Sequence, residues 1–267
     1  MFLILKKKSL YNKMTEEPES IQIFLNSKNA NRYNNGTSDV DFYLKNLEVL
    51  SQYYIHLSVK HAVIPYSFYN ININNNILQV RLFNSTGYSE IQTVSISFGN
   101  HNINSLITEL KTQLSSSFTI TFNSITNKIT ITNSTYDFAI LLISSCLELI
   151  GFSSLTDIYS NNKTLTSNTN VNLQSVQCIC IRSNMQTNSI TSGNQNNVST
   201  LASIPISNQP YTTIAFINQT NHRVNLYNNN LNTINIKLLD QNGNVIDLNG
   251  LHWSMTLQLD ILRFNED

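Results

Sequence analysis

The feature that most restricts how this chain folds is a side-chain period of two, repeated along most of its length. Successive side chains of a strand point to opposite faces, so alternating apolar and polar residues mark a half-buried strand. Residues 21–25 show the pattern, and 41–50 form a second candidate run. Between Tyr54 and Pro65, the residues Ile55, Leu57 and Val59 alternate with Tyr54, His56, Ser58 and Lys60. Leu78, Val80 and Leu82 alternate with Gln79 and Arg81, and 93–98, 174–182, 211–217 and 233–239 read as further strands. The runs 233–239 and 245–248 flank Asn242-Gly243, a dipeptide suited to a tight hairpin turn. In the last run, Trp253, Met255, Leu257, Leu259 and Ile261 share one face, opposed by Ser254, Thr256, Gln258 and Asp260. So many strands, joined by polar connections, predict a mainly β fold: an antiparallel jelly-roll sandwich, whose two packed sheets limit exposed edges.

One region breaks the period. Ile103, Leu106, Ile107, Leu110 and Leu114 recur at helical spacing. Runs at 118–122 and 128–132 follow around a short Ser-Ile-Thr-Asn turn, and 138–143 is a further apolar run. Ser145 and Glu148 have capping-box spacing, with Gly151 placed to end a short helix. The expected organisation is a flexible basic arm at 1–14 and a single jelly-roll domain at 15–267, with a small α-β-β-β-α insertion at about 102–152. The polar stretches 153–172 and 184–199 read as loops.

Charge narrows the function classes. Charged residues make up 12% of the chain, and sixteen basic side chains balance sixteen acidic ones. With no net field, the body of the chain has little to attract phosphates. Contact with nucleic acid is expected only through Lys6, Lys7 and Lys8 of the arm. Weak self-repulsion suits a subunit of an assembly. The hydrophobic fraction of 41% at low net charge reads as folded. At the start, apolar residues precede the lysines, the reverse of a secretory signal, and the apolar stretch is too short to span a bilayer. The N-x-S/T matches at Asn35, Asn84, Asn133, Asn162, Asn197 and Asn218 accordingly read as chance in an Asn-rich chain.

Reactive groups are sparse and scattered, so no catalytic, cofactor-binding or metal-ligating residue is expected, and no enzyme. The histidines are His56, His61, His101, His222 and His252. By strict alternation His56 and His61 fall on opposite faces of their strand, which rules out a local metal pair. Asp39 and Asp41 lie near a strand start, and Asp240 and Asp247 flank the hairpin, where Asp serves turn geometry. Cys146, Cys178 and Cys180 read as buried free thiols. Cys178 and Cys180 share a face but are poorly placed to bridge each other, and no four-ligand zinc set is present. The Asn-rich stretches 70–76 and 228–235 read as loops rather than subunit contacts.

Four segments, in order, carry a resemblance: IFLNSKNANRYNNGTSDVDFYL, AVIPYSFYNIN, SCLELIGFSS and INIKLLDQNGNVIDLNGLHWSMTLQLDIL. Together they resemble the penton or minor capsid proteins of virophages, Polinton-like viruses and related large double-stranded DNA viruses, over about residues 21–262. The resemblance implies a single jelly roll in the virion. It would form a homopentamer at the capsid vertices, meet a double jelly-roll major capsid protein and other minor capsid proteins, and carry no catalytic residues. Pro65, Gly151, Gly243 and Trp253 would be scaffold positions within it. Another minor capsid or cement protein, or a carbohydrate- or receptor-binding jelly-roll module, are the alternative readings.

Overall fold

The structure, a computed structural model, describes residues 19–44, 53–83, 89–185, 187–188, 199–227 and 231–263. The Lys6, Lys7 and Lys8 arm and the end of the 41–50 run lie outside the described residues. The chain opens with β1 (Glu19–Asn26), β2 (Arg32–Asn35), β3 (Asp39–Tyr43) and β4 (Tyr53–Pro65). Next come β5 (Ile77–Phe83), β6 (Ser89–Ser95), helix α1 (Ile103–Gln113), β7 (Phe118–Asn123), β8 (Lys128–Asn133) and β9 (Asp137–Ile140). Two short strands, β10 (Ile158–Tyr159) and β11 (Thr164–Thr166), follow. The remainder is β12 (Cys178–Ser183), β13 (Ser199–Pro205), β14 (Thr213–Ile217), β15 (Val224–Leu226), β16 (Thr233–Leu239) and β17 (Ser254–Arg263).

These elements form two compact units, one of residues 1–68 with 176–267 and one of residues 69–175. The first is a jelly roll. One sheet has the order β1-β17-β4-β14, with β15 also paired to β4, and the other has β13-β12-β16-β3-β2. Setting aside the short strands β2 and β15, the first, eighth, third and sixth strands make one sheet. The second, seventh, fourth and fifth make the other. This is the strand order of two nested Greek keys. The inner faces meet in one core containing Leu57, Ile64, Ile179, Ile181, Ile236, Leu238, Trp253 and Leu257. Trp253 is 1% exposed. Its indole N–H donates to the Thr37 carbonyl at 2.7 Å, so burying the ring leaves no polar atom unpaired.

The second unit contains the sheets β10-β9-β5-β6 and β11-β8-β7, and helix α1. Asn102 caps α1 by accepting from the Asn104 and Ser105 N–H groups, and Leu106 and Leu110 on its apolar stripe are buried. They join Leu78, Val80, Ile120, Ile131 and Phe138 in a core of their own. The short helix expected before Gly151 is a helical turn, in which the Ile150 N–H reaches the Cys146 carbonyl at 3.1 Å. Ser145 does not cap it. Its hydroxyl accepts from the Ile77 N–H at 3.0 Å instead, because a strand amide needed a partner. Gly151 has φ +83°, and a Cβ there would lie 2.7 Å from the Thr169 carbonyl oxygen.

Local pattern misses several short strands. The expected loop at 153–172 contains β10 and β11, and β2, β13 and β15 were not foreseen. Each pairs with a neighbouring strand that supplies its geometry. In β11, for example, Thr164 and Thr166 face Thr132 and Thr130 of β8. Conversely 245–248 is not a strand: Val245 bridges to Leu239, and the Ile246 N–H donates to the Leu238 carbonyl.

Candidate assembly surface

The jelly-roll unit turns one face of its β1-β17-β4-β14 sheet outward, and a β-bulge decides what that face displays. Leu257 of β17 pairs with Val59 of β4, yet the neighbouring Thr256 pairs with His61, leaving Lys60 as the extra residue. Before the bulge Ile55, Leu57 and Val59 point inward, and after it Ala62 and Ile64 do. The phase change puts His56 and His61 on the same outer face. Sequence alternation had set them on opposite faces, because a bulge leaves no mark in a period count.

Register then builds the face rung by rung. Phe24 lies opposite Thr256, Thr256 opposite His61, and His61 opposite Ile217. On the adjacent rung Asn26, Ser254, Val63 and Ala215 are aligned. Phe24 is 74% exposed, Ile217 68% and Val63 43%, so three large apolar side chains stand in water on two neighbouring rungs. His61 is held by its Nε2, 3.0 Å from the Thr256 hydroxyl. A cleft of about 560 Å³ opens at the β1 side of this unit, lined by Phe24, Phe42, Tyr43, His61 and Met255 among others.

Farther along the same face the chemistry becomes ionic. Asp260 is buried although it points outward. It accepts from the Ser20 hydroxyl and from Gln258 Nε2 at 2.8 Å, and pairs with Arg223 Nη1 at 3.0 Å. Burial opposes its charge, but these hydrogen bonds, with Arg223 and His56, outweigh burial and hold the carboxyl below the usual carboxylate range. Arg223 and Asp260 are thus pinned to each other.

Other polar residues singled out from sequence are absorbed by local structure. Asp240 accepts from the Asn242 and Asn244 N–H groups, and Asp247 from that of Asn249. Asn235 Nδ2 donates to both Asp39 and Asp41 at 2.8 Å, and Lys237 pairs with Asp39 at 3.0 Å. Asn70, Asn72, Asn75 and Asn76 serve turns and backbone groups of their own unit. His101 contacts Ser97 and Ser105, and His252 contacts Ser27. Among the described residues no three or more of His, Cys, Asp and Glu gather into one cluster. No helix of the described residues is long and apolar enough to cross a membrane. Cys146 is buried as expected, which pushes its pKa up to about 12, whereas Cys178 and Cys180, also expected to be buried, are half-exposed on the outer face of β12.

No family model matches this sequence, and no curated protein matches it. Solved structures do. The chain is similar to the mavirus penton protein, with a TM-score of 0.50 and 15% identity, over 91% of this chain and 100% of that one. At that identity the likeness is one of fold.

Proposed function

We propose that this chain is a non-enzymatic capsid subunit, a penton that closes into a ring of five at the vertices of a virion and meets the major capsid protein around it. The observation that carries the reading is the fold likeness to the mavirus penton protein, which takes in the whole of that chain. The ordered sequence segments that resemble penton and minor capsid proteins point the same way. The outer sheet face is suited to such work. Phe24, Val63 and Ile217 offer apolar area, and the pinned Arg223–Asp260 pair leaves few free charges to desolvate. Stable interfaces bury upwards of about 1,000 Å² in total.

Native mass spectrometry of the purified protein tests the reading. A discrete species at five times the chain mass of 30.3 kDa is the expected result. A dimer or trimer at high concentration would contradict a ring of five, because closed rings of different order need different rotations between subunits. Ile217→Asp and Phe24→Asp then report on the outer face: both should reduce the ring fraction while leaving the far-ultraviolet circular dichroism unchanged.

A further inference from the structure

Cys178 and Cys180 occupy alternate positions of β12, whose Ile179 and Ile181 point into the core, so both thiols lie on the outer face. Their sulfurs are 3.9 Å apart. A strand rises about 3.3 Å per residue, which sets the two Cβ atoms about 6.6 Å apart, whereas a disulfide needs about 3.5–4.5 Å. A direct S–S bond would therefore buckle β12, which is hydrogen-bonded to β13 on one side and β16 on the other. A bridging atom imposes no such strain. Two sulfurs bound at about 2.3 Å to a tetrahedral cation lie about 3.8 Å from each other.

We propose that Cys178 and Cys180 form a bidentate dithiolate site for a soft divalent cation of the zinc or cadmium type, independent of the capsid role. The site is built on a strand paired on both sides, so the bite between the sulfurs is held by the sheet. Ser203, opposite Cys180 on β13, hydrogen-bonds to the Cys180 sulfur, and Leu239 of β16 walls the other side. Burial and the neighbouring Cys178 raise the Cys180 pKa, which the Ser203 hydrogen bond and Arg182, next along the same face, offset only in part, so the cation itself must displace the thiol protons. Binding replaces the two thiol protons, which pass to the buffer, so one divalent ion enters as two protons leave. The chain supplies two donors, and water fills the remaining positions.

Cadmium(II) alone is the probe, titrated into the full chain under reducing conditions with a reductant that does not bind metal. The ultraviolet thiolate-to-cadmium charge-transfer band should grow to an end point at about one equivalent. Cys178→Ser and Cys180→Ser should each lose that end point, and Cys146→Ser should keep it, since that thiol is buried in the other unit's core. Circular dichroism establishes that each variant is folded before it is titrated. Absence of the band in the native chain, or its survival in either Cys178→Ser or Cys180→Ser, would overturn the site. Loss of the band on Cys146→Ser in a folded variant would overturn it equally.

Discussion

At the scale of single residues, stability rests on a few side chains whose burial and partners are both specified. Trp253 is the clearest. Its ring is 1% exposed, meets Phe42 edge-on at 6.0 Å, and has its N–H satisfied by Thr37. Trp253→Ala should cost about 3–5 kcal/mol, read as a fall in the urea midpoint, with the cavity term adding to lost transfer energy. Asp260 behaves differently because its contribution depends on pH. Its folded pKa is depressed, so the stability it adds is complete above the unfolded value of about 3.9 and is lost as pH falls through the folded pKa. Asp260→Asn should therefore destabilise the chain at neutral pH by about 1–3 kcal/mol, most of it from hydrogen bonds to a buried carboxylate. Arg223 is 40% exposed, so its ion pair is screened and adds little. The difference between native and variant should shrink as the pH is taken well below 4, and a constant difference across that range would contradict the assignment.

At the scale of elements, the bulge at Lys60 is the feature with the largest consequences. It lets one strand bury Ile55, Leu57 and Val59 on one phase and Ala62 and Ile64 on the other. Deleting Lys60 would restore strict alternation and force one of these sets outward, since a one-residue slip flips every side chain beyond it. The deletion should abolish cooperative unfolding or lower the melting temperature far more than Lys60→Ala, which keeps the extra residue. The runs in which all apolar residues keep one phase, such as Leu78 to Leu82 and Trp253 to Ile261, were legible from sequence, as was α1. Strands β2, β10, β11, β13 and β15 were not, because their register comes from the partner strand rather than from their own apolar pattern. The shared outer face of His56 and His61 was hidden for a related reason: its cause is a pairing irregularity between strands far apart in the chain.

At the scale of the whole molecule, assembly should follow from the charge inventory. With 12% charged residues and no net charge, the interfaces of the proposed ring should depend on shape, apolar contact and amide hydrogen bonds more than on ion pairs. The mass of the oligomer measured by light scattering should stay constant from low to moderate salt. Dissociation over that range would mean that ion pairs hold the proposed ring.

The sequence alone determined that the chain is a β-sandwich with a helical interruption. The period of two and the break at 102–114 depend only on local spacing, and local spacing survives folding unchanged. It also marked Trp253, Gly151 and the Asn242-Gly243 turn, whose roles depend on bulk or backbone conformation at one place. Tertiary structure alone decided which side chains meet across strands. The rung of Phe24, Thr256, His61 and Ile217 joins four strands through register, and the 3.9 Å approach of the Cys178 and Cys180 sulfurs depends on rotamers set by neighbours on either side. Such adjacency is a property of pairing between distant segments, and no pattern along one segment records it.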